Sequence, residues 1–230
     1  MTTEQSKALW RWVIRMTVYL AVSSAILFWI AGDWTWTGGW LYVALQVVNT
    51  VLTYCMLYLD RPNLLIRREA MGEGTPKWDK VLAPLMAFST LIISLASAVG
   101  VRFTGMMPVP AWLLLVAFLC MTTGHIITIQ SMRQNDYFEG SVRIQEEFGH
   151  KVITTGPYKI VRHPGYLGLL LYNALLPVVL TSAWGFAGVG FFLVILVWRT
   201  AREDRFLWEN LTGYDEFTKQ TPWRLIPGIW

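Results

Sequence analysis

The chain has 230 residues, with 19 Lys+Arg against 15 Asp+Glu and 3 His, for a formal net charge of +4. Hydrophobic residues make up 54% and charged residues 15%, where ordinary soluble domains carry about 25% charged residues. That composition excludes a disordered chain, a disulfide scaffold and a cytosolic globule.

Charge is also missing in long blocks. Seventeen residues separate Arg15 from Asp33, 26 separate Asp33 from Asp60, 21 separate Lys80 from Arg102, 30 separate Arg102 from Arg133, and 36 separate Arg162 from Arg199. Blocks of this size suit helices that cross the ~30 Å of a bilayer's hydrocarbon. The sequence predicts an all-α integral membrane protein with six transmembrane helices, over 12–31, 38–59, 81–101, 110–130, 165–181 and 184–198. The last two share one block and are expected to form a helical hairpin turned at Thr181-Ser182-Ala183, its first arm kinked at Pro177. Pro84 is placed in the first turn of the third span, where its missing N–H costs little. Two parts are expected: helices one to three with the loop 60–80 in 1–109, and a core of helices four to six with loop 131–163 and tail 199–230 in 110–230.

Basic residues set the orientation of such a bundle. With six spans, 18 of the 19 Lys and Arg fall on one side and only Arg102 on the other. Both termini, the two long loops and the tail are therefore expected in the cytoplasm, at a bacterial inner membrane or an endoplasmic reticulum. The first apolar stretch runs at span length with no small-residue cleavage site after it, so it reads as a span and not as a removed leader. Anionic headgroups account for the basic face, without nucleic acid. Trp10, Trp12, Trp34, Trp36, Trp40, Trp184 and Trp230 fall near expected interfaces, as an aromatic belt would. Cys55 and Cys120 both lie inside spans, where neither a disulfide nor a metal site is expected.

Polar residues concentrate in the second half. The loop 60–80 is expected to hold a short interfacial helix around Leu64–Ala70, ended at Gly72 and Gly74. The loop 131–162 is too long for a connector, and Thr154-Thr155-Gly156-Pro157-Tyr158 reads as a turn with Pro at its second position. Arg162-His163-Pro164-Gly165-Tyr166 then opens a membrane helix whose N-terminus suits an anion or polar group. Arg199 and Glu203 share a helix face, in the poorer order for pairing with each other, which favours each facing something else. His125 reads as an interhelical hydrogen-bonder. The three histidines lack zinc spacing, and Gly185-Phe-Ala-Gly188-Val-Gly190 reads as helix packing, not as a dinucleotide loop.

Three blocks then occur in order: His150-Lys-Val-Ile-Thr-Thr-Gly156-Pro157-Tyr158, Arg162-His163-Pro164-Gly165-Tyr166-Leu167-Gly168, and Arg199-x-x-x-Glu203-Asp204-x-x-Leu207. With Gly213-Tyr214-x-x-Phe217 and the ending Trp223-Arg224-Leu225-Ile226-Pro227-Gly228, they resemble isoprenylcysteine carboxyl methyltransferases over residues 125–230. The resemblance implies methyl transfer from S-adenosylmethionine at the cytoplasmic membrane face to a lipophilic or prenylated acceptor. By the family's pattern His150, Lys151, Val152, Ile153, Tyr158, His163, Pro164, Gly165 and Tyr166 line the cofactor pocket, Glu203 contacts the cofactor, and Arg199 faces the acceptor. The family's upstream glutamine has no clean match: Gln145 is nearest by type, while Arg143 is the aligned residue. Asp204 stands where a second glutamate is usual.

The chemistry of the residues agrees with that implication. An in-line displacement at a methyl carbon needs alignment and desolvation more than acid–base machinery, and no metal. Arg199 could hold an acceptor carboxylate by a bidentate hydrogen bond; thiol, amine or phospholipid-headgroup acceptors suit the same pocket. Two other readings compete: a nicotinamide-dependent reductase of the sterol-reductase type, with Arg199 and Arg202 on a 2′-phosphate, and a transporter. The charge-free spans argue against the transporter.

Overall fold

The computed structural model describes residues 3–58, 61 and 72–230, and among them every regular element is helical. The expected interfacial helix at Leu64–Ala70 lies outside the described residues. The helices are α1 (Thr3–Ala31), α2 (Thr37–Thr53, continued by a π-helical turn Tyr54–Tyr58), α3 (Asp79–Thr104), α4 (Ala111–Gln134), α5 (Pro164–Val179), α6 (Gly185–Asn210) and α7 (Tyr214–Gln220). Single 3-10 turns occupy Glu146–Phe148 and Gly156–Lys159.

Among the described residues, five stretches are long and apolar enough to cross a membrane: Trp10–Ala31, Thr37–Leu57, Asp79–Thr104, Ala111–Gln134 and Gly185–Asn210. The remaining expected span, 165–181, is α5, and its 16 residues reach only ~24 Å at ~1.5 Å per residue. The hairpin expected to have two short arms thus has one. Its second arm, α6, runs unbroken from Gly185 past Arg199 and Glu203 to Asn210. Pro84 sits on the sixth residue of α3, since that helix starts at Asp79 and not at the first uncharged residue.

Local chemistry explains the breaks. After α1 the chain turns at Asp33, whose Oδ1 accepts the backbone N–H of Thr35 at 2.8 Å and its hydroxyl at 2.6 Å, an Asx turn. Pro164 occupies the first turn of α5, where its φ is already helical. The α5–α6 turn falls at Thr181–Ala183, and Thr181 takes a left-handed φ of 47°. That conformation is held from outside: Met107 N–H donates to the Thr181 carbonyl at 2.7 Å, and Trp36 Nε1 donates to its hydroxyl at 3.1 Å. Trp36 is accordingly no belt residue. It is fully buried, and Phe28 packs against it edge-on.

One buried core runs through both halves of the chain, from Leu27 and Phe28 through Leu82, Ile93, Met121, Leu176 and Phe192 to Leu225. The tightest crossing joins α4 to α5, where a Cβ on Gly124 would stand 2.6 Å from the Gly168 carbonyl and one on Gly168 would strike Thr128. Only glycine permits that approach, the small-residue packing common between membrane helices. Polar side chains add ties. His125 Nε2 lies 3.0 Å from both the Thr53 hydroxyl and the Asn49 carbonyl, and Tyr172 donates to Gln46 Oε1 at 2.6 Å. The outer faces carry Ile14, Val18, Trp29, Phe88, Leu115, Leu119 and Val194, all exposed, as lipid contact requires.

The ends of the bundle differ. At one, Arg102 donates to the Ile30 carbonyl at 3.2 Å and closes the last turn of α1, a favourable place for a cation. At the other, the first turn of α3 meets the loop 135–163, the end of α6 and the tail.

Candidate active site

That loop end holds a cavity of about 330 Å³, within the size range of ligand pockets. Its floor, toward the middle of the bundle, is mostly apolar, from Ala83, Met86 and Ala87 of α3, Met132 of α4 and Leu169 of α5, with the hydroxyl-bearing Thr90 and Thr128 among them. The loop Tyr137–Arg143 and the stretch His150–Ile153 form one wall; Tyr158, Arg162, the N-terminus of α5, Arg199 and Glu203 form another. Leu207, Leu211, Tyr214 and Phe217 border it on the far side, where with Tyr158 they make a second small core.

Asp204 is the hub of the back wall. Its Oδ1 accepts from Arg162 Nε at 2.7 Å and from the Tyr214 hydroxyl at 2.9 Å, and lies 3.2 Å from His163 Nε2. Its Oδ2 accepts from Arg162 Nη2 at 2.9 Å and Arg224 Nε at 2.7 Å. Burial alone pulls the Arg162 guanidinium down, but Asp204 outweighs it and the net shift is upward. Burial, with Asp204 beside it, raises the Tyr214 phenol far above its ordinary 10. Arg162 also donates through Nη1 to the carbonyls of Thr221 and Pro222, and the backbone N–H groups of Arg162 and His163 donate to the carbonyls of Trp223 and Arg224. The tail is thereby laid along the segment that opens α5.

That segment presents its rings to the cavity. His163 and Tyr166 stack at 5.7 Å, and the Tyr166 hydroxyl donates to Glu203 Oε2. Glu203 keeps Oε1 3.8 Å from His163 Nδ1. Gly165 lies under the Phe138 ring, where a Cβ would come within 2.6 Å of it. Tyr158 accepts from Asn135 Nδ2 at 3.0 Å.

His150 stacks on Tyr137 at 4.3 Å, and its Nδ1 accepts the Gln145 backbone N–H at 3.2 Å, which leaves the ring proton on Nε2. Burial, reinforced by the charge of Arg143, lowers His150 from its ordinary 6.5 to about 4. The ring is neutral at physiological pH.

Arg199 is only 6% exposed, and its partner is Asp79, which is fully buried. Arg199 Nε donates to Asp79 Oδ1 at 2.8 Å and Nη2 to Oδ2 at 3.3 Å, while Nη2 also reaches the Gly140 carbonyl at 2.9 Å. Asp79 Oδ2 further accepts the Val142 backbone N–H at 2.6 Å. The guanidinium lies 5.5 Å from the centre of the Tyr166 ring. The bidentate fork, assigned from sequence to an acceptor carboxylate, is thus filled by the protein's own aspartate.

Of the residues named from sequence, His150, Lys151, Val152, Ile153, Tyr158, His163, Pro164, Gly165, Tyr166, Arg199 and Glu203 all border this cavity. Gln145 does not: it is buried behind the wall with Nε2 donating to the Tyr137 carbonyl at 2.8 Å. Arg143, the aligned residue, does border it, gripped by Glu139 at 2.9 and 3.1 Å and by Glu147 at 2.5 Å. Sequence reasoning missed the loop Tyr137–Val142 and Asp79. The unusual length of loop 131–162 was a signal for the first; for the second there was only a carboxylate opening a span.

Fold and site together define a multi-pass helical membrane protein with a ligand-sized cavity at one end of its bundle. Residues 113–209 match the model of the Isoprenylcysteine carboxyl methyltransferase (ICMT) family. The recognition made from the motif blocks is borne out over that segment, and the match supports a membrane methyltransferase. The motifs after Asn210 lie beyond it, but they close the same cavity through Leu211, Tyr214 and Phe217.

Proposed function

We propose that this protein is an S-adenosylmethionine-dependent methyltransferase acting on a lipophilic acceptor drawn from the bilayer. The observation that carries the reading is convergence. Three separate motif blocks, at His150–Ile153, His163–Tyr166 and Glu203, meet in one cavity whose floor is mostly apolar and is made by helices long and apolar enough to span.

The residues present fit such a cofactor. Glu203 offers a carboxylate to an ammonium or sulfonium cation, the Tyr137–His150 and His163–Tyr166 stacks offer aromatic faces, and Lys151 stands exposed at the rim for a carboxylate. The cofactor supplies an electrophilic methyl group on a positively charged sulfur. The chain supplies alignment and a dry floor: Ala83, Ala87 and Leu169 exclude water beneath the reacting head. The apolar tail of the acceptor lies along that floor. The loop end faces the cytoplasm by the positive-inside bias, so a tag after Trp230 is expected to be accessible from the cytoplasm and shielded from outside.

The test is calorimetric titration of purified protein with S-adenosylhomocysteine and, separately, NADPH. The expected result is binding of the homocysteine product, weakened about 10–100-fold in Glu203→Ala, the range for losing a charge-assisted hydrogen bond. Binding of NADPH alone would make the protein a reductase. That outcome is disfavoured by Arg199, whose charge Asp79 already neutralises.

A further inference from the structure

The cavity loop Tyr137–Arg143 has no scaffold of its own. Residues 138–145 form neither helix nor strand, yet Ser141 and Val142 are buried and border the cavity. A buried irregular segment needs partners for its backbone groups, and here side chains from elsewhere supply them. Asp79 Oδ2 accepts the Val142 N–H at 2.6 Å, and Arg199 Nη2 donates to the Gly140 carbonyl at 2.9 Å. Between them, the Ser141 hydroxyl lies 3.1 Å from that of Thr75, which donates to the Gly72 carbonyl at 2.8 Å. Gly72 itself lies so close to Arg143 that a Cβ there would strike its side chain. Four consecutive loop residues, 140–143, are thus tied down, three of them by the stretch 72–79.

A buried ion pair is a weak source of stability, because apolar residues of like volume often serve as well or better. Asp79 and Arg199 do what apolar residues could not. The carboxylate orients the guanidinium, and the hydrogen-bonding capacity left over fixes two backbone groups of the loop. We infer that Asp79 is a positioning residue for the cofactor, acting on it through this loop. The loop carries Tyr137, stacked on His150, and Phe138, laid over Gly165; released, it takes both rings out of register with the site. Asp79 is not part of the cavity lining, and it lies outside the residues 113–209 matched to the family. The N-terminal half thereby shapes the pocket wall from behind. The inference rests on the methyltransferase reading above, and the experiment separates the two.

Protein in nanodiscs is followed by hydrogen–deuterium exchange and titrated calorimetrically with S-adenosylhomocysteine. In Asp79→Asn, which keeps the shape and removes the charge, peptides covering 138–143 are expected to exchange about tenfold faster or more. S-adenosylhomocysteine affinity falls by a similar factor, while exchange within α4 and α5 stays unchanged. The double variant Asp79→Leu/Arg199→Met separates positioning from support: it regains thermal stability, yet its loop still exchanges fast and its affinity stays low. Full protection of the loop in Asp79→Asn, or a loosened loop with unchanged affinity, overturns the inference. So does a double variant that regains loop protection and affinity along with stability. If Asp79→Asn does not fold, loop exchange in the double variant decides alone. Unaltered protein that binds no S-adenosylhomocysteine sinks the methyltransferase reading, whereas loop exchange in the variants still judges whether Asp79 holds the wall.

Discussion

Arg199 and Asp79 lie 120 positions apart and form a bidentate pair away from water. The arginine was visible in the sequence because it belongs to a motif, and its order with Glu203 hinted that each faced something other than the other. No spacing rule reaches Asp79, which sits in a half of the chain that carries only hydropathy. The pairing changes what a substitution does. Read from sequence, Arg199→Ala removes an acceptor contact and lowers turnover alone. With Asp79 buried against it, the same change strands a carboxylate, at a cost of about 3–5 kcal/mol. Asp79→Ala should cost a similar amount, and the double variant Asp79→Leu/Arg199→Met should recover most of it. Denaturant unfolding in detergent measures all three, and additive losses in the double variant would contradict the pairing.

His150 gives the residue scale its pH dependence. Its proton affinity is lower in the folded protein than in the unfolded chain, from 6.5 to about 4. Between those values the unfolded chain takes up a proton that the folded state refuses. Stability is unaffected above about pH 6.5, falls as the pH drops toward about 4, and then levels, because below that both states are protonated. Thermal unfolding followed across this window should show the slope, and His150→Asn should flatten it. A slope unchanged in that variant would place the titrating group elsewhere.

Among the elements, α5 positions most of the site. Its N-terminus delivers His163 to Tyr166, and its face is locked to α4 through Gly124 and Gly168. The sequence showed the motif and the turn at Thr181–Ala183, because small uncharged residues split one long block. It did not show how far α6 continues. Hydropathy reports where a helix leaves hydrocarbon, not where its backbone hydrogen bonds end, so the charged stretch 199–210 counted as tail while remaining helical. A larger side chain at Gly168 must part α4 from α5, since its Cβ already meets backbone there. Gly168→Leu should lose about 1–3 kcal/mol, the usual cost of overpacking. It should also weaken S-adenosylhomocysteine binding while circular dichroism still shows a helical protein. Intact binding would mean that α5 is free to shift without disturbing His163 and Tyr166.

For the whole molecule, the charge-free blocks were enough to define the helical membrane class and to separate Arg102 from the other cations. The cavity was legible only in its C-terminal walls. Its floor comes from α3, where Ala83, Met86 and Ala87 look like any lipid-facing run in a sequence. Trp36 shows the same blindness: an indole near an expected interface reads as belt, whereas here it closes the α5–α6 turn from inside.

The length of α5 bears on the site itself. At ~24 Å it falls ~6 Å short of ~30 Å of hydrocarbon, while its neighbours α3, α4 and α6 are long enough to span. No residue of α5 is exposed, so its short length is met by the helices packed around it and not by lipid. Its opening segment lies against Glu203 and Asp204, well before α6 ends at Asn210. The polar motif that starts α5 is thereby sunk below the end of α6 instead of standing level with it.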